Sequence, residues 1–320
     1  MVTPLVSVII PNYNHSSYLV DRIESVLSQD YDNFEVVILD DCSSDDSRRI
    51  IESYRSNKRV VRIIYNDINS GSTFKQWHKG FKYCNGEYIW IAESDDVGHP
   101  RFISTLINSI KGDKSIVMAV SGLIFINQNG DTTGYGSINR LNKTCTYDSD
   151  DFIKINMFLD NHVLNASSVI FRQDALKKIS QDYTLFKAAG DYLFWLEISR
   201  IGKIIEIPDK LDYFRRSDTC VTPKLFASGV ALNEVYLIYK RLIQWGYINW
   251  FYKHAIIGFR LSQIKKNKFN FNSKETYEKC FKIWRNETTI PLIDIFFKYC
   301  LIANRLITRF VFNSFGFKIF

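Results

Sequence analysis

Residues 36–47 read VVILDDCSSDDS, an apolar run that ends abruptly in two carboxylates. A strand buried on both faces reads as a continuous, β-branched hydrophobic run rather than as an alternation. Residues 88–96, YIWIAESDD, repeat the pattern. Two strands therefore carry acidic side chains to their carboxyl ends.

The flanking sequence supplies the rest of such a sheet. Leu5–Ile10 is another continuous apolar run, and Leu19, Ile23, Val26 and Leu27 then recur at helical spacing. Phe34–Leu39 follows as a strand, residues 45–54 as a helix capped by Ser43 or Ser44, and Val60–Tyr65 as a third strand. Phe74–Cys84 reads as a helix, Asn85-Gly86 as a turn and Tyr88–Glu93 as a fourth strand. This alternation predicts an α/β fold with a mostly parallel sheet flanked by helices. In such sheets ligands lie beyond the carboxyl ends of the strands, where the acids are.

Further along, a helix is expected from Pro100 to Ile110 and a long strand over Ile116–Asn127. Residues 130–150 are polar and read as a loop. Asn165–Phe171, a helix to Ser180, a helix over Tyr192–Ile201 and a strand over Lys203–Ile207 complete a first region, residues 1–223. Residues 224–320 show long aromatic helical patterns instead.

The two regions differ in charge. From Lys224 onward there are 16 Lys and Arg against 5 Asp and Glu, leaving 25 against 29 before it, within a formal total of +7. In the last helical pattern Lys298, Arg305 and Arg309 fall on one stripe, opposite Ile293, Phe296, Cys300, Ala303, Ile307 and Phe310. Such a helix could lie on an anionic membrane surface, or pack on the first region with its cations solvated. The six cysteines form no CxxC pair and no zinc spacing, so they are read as reduced. The first residues lack a signal-peptide pattern, and no long uninterrupted apolar stretch exists. These features point to a cytoplasmic protein, held at most peripherally at the inner face of the plasma membrane.

Adjacent carboxylates such as Asp95 and Asp96 repel unless a cation neutralises them, and hard divalent ions prefer carboxylate and phosphate oxygens. The plainer reading makes one of them the cap of the helix after Pro100. Asp40-Asp41 carries the same two readings, and Asp191 in Gly190-Asp191 reads alone as a helix cap. Pro11-Asn12-Tyr13-Asn14 ends the first strand and brings Tyr13 beside Asp41. A ring to stack on a base and an acceptor for its N–H suit a uracil or thymine pocket.

The order of these motifs (PNYN, LDDCSSDD, Asn69-Ser70-Gly71 before a helix, GEYIWIAESDD, and GDYLFW a hundred residues on) resembles the glycosyltransferase family 2 enzymes of the GT-A fold, over roughly residues 3–217. The resemblance implies that Pro11 and Tyr13 contact the base and that Asp41 accepts from its N–H, supported by Asp40. It implies Asp95 near the ribose and the metal, Asp96 as direct ligand of Mn2+ or Mg2+, Asp191 as catalytic base and Lys75 near the nucleotide. Relatives often carry a His after a Tyr-x-Arg segment; here DYFRRSDTC has none, which implies either a metal resting on Asp96, phosphates and water alone or Arg216 at the diphosphate. Relatives often have Glu-Asp where this chain has Gly190-Asp191.

The expected activity is metal-dependent, inverting transfer of a sugar from a nucleotide diphosphate sugar, UDP-linked first and dTDP-linked next, to a hydroxyl of a glycan acceptor. The acceptor is expected to be lipid-linked, as in capsule, O-antigen or cell-wall polysaccharide synthesis. An inactive nucleotide-sugar-binding scaffold subunit is the alternative. The turn after the first strand lacks G-x-G-x-x-G and no G-K-[ST] occurs, which argues against a nicotinamide dehydrogenase and a P-loop enzyme. No organised RNA motif accompanies the basic C-terminal region, so nucleic acid is not an expected partner.

Overall fold

The computed structural model describes residues 3–136, 143–216, 222–288, 293–300 and 302–303. The chain opens with β1 (Val6–Asn12), α1 (Ser16–Leu27), β2 (Phe34–Asp40), α2 (Ser47–Ser53), β3 (Val60–Tyr65), α3 (Thr73–Phe81) and β4 (Tyr88–Ile91). A two-residue β5 (Val97–Gly98), α4 (Phe102–Ile110), β6 (Ile116–Ile126), β7 (Thr132–Gly136), β8 (Cys145–Tyr147) and a short α5 (Ser149–Phe152) follow. Then come β9 (Val169–Arg172), α6 (Gly190–Ser199) and β10 (Lys203–Arg215). The remaining helices are α7 (Thr222–Ala227), α8 (Val230–Gln244), α9 (Trp250–Lys266) and α10 (Lys274–Arg285), and residues 293–300 are helical.

The strands form one sheet in the order β3-β2-β1-β4-β9-β6-β10-β5, with β7 on β6 and β8 on β10. The β3-β2-β1-β4 half is parallel, as is the β6–β10 pair, while β9 enters antiparallel between β4 and β6. The continuous apolar runs are explained by two cores, one on each face. Ile9, Val37, Leu39, Ile89 and Ile91 face one core, and Val8, Ile10, Val36, Ile38 and Trp90 face the other. This is the two-residue period of a strand with both faces covered. In the first core the ring of Phe194 packs on Trp77, Phe81, Phe171 and Tyr183 at centroid distances of 5.0–5.7 Å. Helix α6 is buried on nearly every side from Tyr192 to Ser199, hence its unbroken apolar sequence.

Several boundaries differ from expectation. The polar segment 130–150 contains β7 and β8; β8 is only three residues long, too short to show a period, and Cys145 and Tyr147 are buried with Thr146 between them. Strand β10 continues past Ile207 to Arg215, because the sheet absorbs Pro208 in a register shift between Ile207 and Lys210. The helix expected to reach Ser180 is a five-residue 3-10 turn, Gln173–Lys177. Ser43 and Ser44 do not cap α2, which starts at Ser47 after Asp46.

The C-terminal helices pack on the first region. Ile238 and Leu242 of α8 join the core of Trp77 and Phe194, and Tyr252 of α9 meets Phe158 at 4.9 Å. Arg241 pairs with Asp182 at 2.5 Å. Lys298 is described, whereas Arg305 and Arg309 of the expected basic stripe, with Ile307 and Phe310 opposite, lie outside the described residues. Among the described residues no helix is long and apolar enough to cross a membrane.

Candidate functional site

The ends of β1 and β2 are stitched together by side chains. Asn12 Nδ2 donates to Asp40 Oδ1 at 2.8 Å, and Asp40 Oδ2 accepts from the Ser43 amide at 3.0 Å. Ser43 Oγ accepts from the Asn14 amide, and Asn14 Oδ1 accepts from the Ser44 amide. The turn has two non-glycine residues at positive φ, Asn14 at 55°, which Asn tolerates comparatively well, and Cys42 at 63°, which is uncommon for such a side chain. Tyr13 is left standing out of this turn, 47% exposed. Pro11, expected at the base, is instead buried inside β1 opposite Leu39, where it shapes the strand end.

Asp41 is buried, with three hydrogen bonds to one carboxylate oxygen and one to the other. Its Oδ1 accepts from Asn66 Nδ2 at 2.5 Å, the Ser70 amide at 2.9 Å and Gln76 Nε2 at 2.9 Å, and its Oδ2 accepts from Ser70 Oγ at 2.7 Å. Lys79 Nζ in turn donates to Asn66 Oδ1. Asp41 thus folds the Asn69-Ser70-Gly71 turn against β2. Lys75 is exposed and its Nζ donates to the Ser70 carbonyl at 3.3 Å, at the rim of this turn.

The acidic turn after β4 divides its residues between two sides. Glu93 and Asp95 are partly exposed, while Ser94 and Asp96 are buried. Here the structure departs from the expectation for Asp96. Its carboxylate is 1% exposed and accepts from Asn165 Nδ2 at 2.7 Å, Ser167 Oγ at 2.7 Å and the Arg215 amide at 2.9 Å. The fully buried Arg22 lies 3.7 Å from it and 4.0 Å from Asp212, and Arg22 Nε donates to the Glu93 carbonyl at 2.7 Å. Burial raises the pKa of both Asp96 and Asp212, with neighbouring carboxylates adding to it and Arg22 opposing. Asp96 is therefore an internal anchor of the turn rather than a surface ligand.

Glu93 is a residue that the sequence reading passed over. Its Oε1 accepts from Trp77 Nε1 at 2.7 Å and Thr73 Oγ1 at 3.4 Å. Burial pushes its pKa up to about 8, the Asp95 charge adds to the shift, and the Trp77 hydrogen bond opposes it. The signal was present as an acid-x-acid spacing, Glu93-Ser94-Asp95, which puts two carboxylates on the same side of an extended chain. The turn is also tied to the start of α1, because His15 Nδ1 and Ser94 Oγ lie 2.8 Å apart. Arg215 Nε donates to the Asp95 carbonyl at 2.8 Å. Arg216, by contrast, is exposed and lays its guanidinium on Phe125 at 3.6 Å.

Asp191 sits in the first turn of α6, half-buried, with Oδ2 accepting from Asn161 Nδ2 at 2.8 Å. Burial pushes its pKa up to about 6, against hydrogen bonds from the Tyr192 amide and Asn161. That is a carboxylate tuned toward neutral pH. Helix α3 joins the three parts of the site: Gln76 reaches Asp41, Thr73 and Trp77 reach Glu93, and Phe74 packs on Gly190.

Among the described residues no three His, Cys, Asp or Glu side chains converge to hold an ion unaided. A divalent ion that takes one or two carboxylates and completes its shell with substrate phosphate and water fits this donor set. The carboxylates facing outward for it are Glu93 and Asp95.

Comparison with known proteins agrees with this layout. The family model described as "Glycosyl transferase family 2" matches residues 7–180. The chain is 34% identical over 110 residues to glycosyltransferase GlyG of Streptococcus pneumoniae, covering 34% of this chain and 36% of the relative. It is 38% identical over 93 residues to TuaG of Bacillus subtilis, a putative teichuronic acid biosynthesis glycosyltransferase, covering 29% and 36%. The matches thus span about a third of these relatives' length. A crystal structure of Staphylococcus aureus TarS in complex with UDP-GlcNAc superimposes with a TM-score of 0.57 at 19% identity, covering 88% of this chain and 72% of that one. The fold is the GT-A arrangement expected from the sequence.

Proposed function

We propose, for a chain that belongs to glycosyl transferase family 2, that it transfers a sugar from a nucleotide diphosphate sugar to a hydroxyl of a glycan acceptor, with inversion at the anomeric carbon. The observation that carries this reading is Asp191: a carboxylate held by Asn161, with its pKa pushed up to about 6, at the carboxyl end of the sheet. A base of that strength is largely ionised at neutral pH and still takes a proton readily.

In this reading the exposed ring of Tyr13 stacks on the base, and Asp41 shapes the pocket wall from within the Ser70 turn. Glu93 and Asp95 hold Mn2+ or Mg2+, which supplies positive charge against the departing diphosphate. Asp96, Arg22 and Asn165 fix the turn that presents them. Lys75 and Arg216 are the cations available to the phosphates, Arg216 after leaving Phe125. Asp191 takes the proton of the acceptor hydroxyl as that oxygen bonds to the anomeric carbon, and the nucleoside diphosphate leaves with the bonding electron pair. One base suffices, since no covalent intermediate forms.

A uracil nucleotide is favoured, and the solved relative's UDP-GlcNAc makes that sugar the first donor to try. Calorimetric titration of UDP, TDP and GDP with and without Mn2+, followed by a screen for UDP release from UDP-sugars, tests the reading. Metal-dependent binding of one diphosphate is the expected result. Binding of none would leave the chain as an inactive scaffold.

A glycan acceptor in capsule, O-antigen or cell-wall assembly is in keeping with the teichuronic acid biosynthesis named for TuaG, and the surface of the C-terminal region is what suggests that the acceptor is lipid-linked. Trp250, Phe296 and Tyr299 are 59%, 63% and 61% exposed there, and Lys298 lies over Tyr299 at 4.6 Å. Exposed rings beside lysines suit the headgroup layer of an anionic bilayer. Flotation with anionic liposomes at low salt tests this: wild type floats, and Trp250→Ala with Phe296→Ala stays in the soluble fraction.

A further inference from the structure

Asp191 is held by two stretches of chain, the segment 187–190 that leads into α6 and the segment carrying Asn161. Each is gripped by a different C-terminal helix. Glu234 of α8 is 9% exposed and points its carboxylate at three consecutive amides, accepting from Lys187 N at 2.7 Å and from Ala188 N and Ala189 N at 2.8 Å each. Arg260 of α9 is 3% exposed, donates to Asp160 Oδ1 at 3.0 Å and also donates to the Leu159 carbonyl.

Glu234 reaches its position because α8 starts at a fixed point. Gly229 precedes the helix at φ 77°, and a β-carbon there would lie 2.7 Å from Cys280 Sγ of α10. Apolar contacts alone would dock these helices; Ile238 and Leu242 already do so. Burying a carboxylate and a guanidinium is costly unless their hydrogen bonds are met, so their use here is a matter of geometry more than of adhesion.

We propose that Glu234 and Arg260 are positioning residues for Asp191, so that the C-terminal helices set the aim of the base on the acceptor hydroxyl. The inference rests on the reading of Asp191 as that base. Glu234 holds the backbone immediately before the helix that carries it, and Arg260 holds the loop whose Asn161 orients its carboxylate.

The test compares Glu234→Gln, Arg260→Met, Arg241→Gln and Asp191→Asn in the full chain. The readout is UDP release from UDP-GlcNAc, UDP-Glc, UDP-Gal and UDP-GalNAc with Mn2+, on whichever the unmodified protein turns over. Glu234→Gln loses one of the two accepting oxygens, and Arg260→Met frees the 159–160 segment. For both, kcat is expected to fall by about 10- to 100-fold, the scale of a ~1 Å misplacement of a reacting group. The Kd for UDP with Mn2+ stays within about two-fold, because the lost interaction acts only on the transition state. Arg241→Gln breaks the neighbouring Asp182 pair and keeps wild-type kcat, so loosened docking in general is separated from loss of aim.

Wild-type kcat in folded Glu234→Gln and Arg260→Met overturns the proposal, as does an equal kcat loss in Arg241→Gln. If Glu234→Gln fails to fold, Arg260→Met alone decides by the same criterion. Asp191→Asn is inactive if the base is correctly assigned. Activity in that variant, or turnover of none of the four sugars by the unmodified chain, defeats the underlying reading and this inference with it.

Discussion

A β-carbon on Gly190 would lie 2.4 Å from Phe74 Cδ2 and 2.7 Å from the Tyr183 carbonyl oxygen. The helix that carries Asp191 is thus seated against α3 with no room for a side chain at the preceding position. Gly190→Ala should destabilise the protein by about 1–3 kcal/mol, the usual cost of overpacking, and lower turnover with it. Phe74→Leu in the same chain should recover part of the loss. Equilibrium urea unfolding of both single variants and the double variant checks the coupling.

Asp95 and Asp96 should separate cleanly. Asp95→Asn removes an outward carboxylate and should abolish the Mn2+-dependent part of UDP affinity with little change in unfolding midpoint. Asp96→Ala leaves Arg22 with a buried partner missing and should cost about 3–5 kcal/mol, whatever the metal. Calorimetry with Mn2+ and thermal unfolding of the same two proteins read both effects. The reverse pattern would return the ligand role to Asp96.

Tyr13→Ala should weaken UDP binding by about 1–3 kcal/mol, the value of a base–aromatic stack, without touching stability, since the ring is 47% exposed. Tyr13→Phe should bind as wild type. Fluorescence titration with UDP distinguishes them.

The pH dependence follows from Asp191, whose pKa is pushed up to about 6. The base works ionised, so with Mn2+ saturating, which would keep Glu93 ionised, kcat/KM should fall as pH drops through that value. Stability runs the other way. The folded carboxyl holds its proton to higher pH than the unfolded one, so stability contributed by the neutral form is lost as pH rises from the unfolded value toward 6. Asp191→Asn should therefore be inactive yet more heat-stable than wild type at pH 8, with the difference vanishing near pH 4. Paired melts at the two pH values check the sign.

Much of this was legible in the chain. Val36–Leu39 and Tyr88–Ile91 announced buried strands because both their faces are covered, and the acids follow at the carboxyl ends. Strands β7 and β8 were not legible, since β8 is too short to show a period and β7 is mostly Thr and Gly. Within the site, the identity of the acidic turn could be read but not its facing. Which of Asp95 and Asp96 turns inward depends on Arg22, Asn165 and Ser167, residues 69 to 71 positions away from their partners in the turn, and no local pattern carries that information. Glu93 was readable only through its spacing from Asp95, which the adjacent Asp95-Asp96 pair overshadowed. Glu234 carries no local sequence signal, and only the fold brings it to the amides of 187–189.

Packing crosses the boundary near residue 223: helices α8–α10 have a core of their own around Tyr239, Ile257 and Trp284, yet Ile238 and Leu242 join the core of Trp77, Phe194 and Trp195. The C-terminal helices are therefore poor candidates for exchange between related enzymes. A chimera joined at that point would keep the nucleotide pocket and the acidic turn intact, yet it would bring a foreign surface to the underside of the helix that bears Asp191. Recombination within such a lineage would be tolerated more readily among the loops above the sheet than across this seam, which would leave donor and acceptor choice freer to diverge than the join between the two regions.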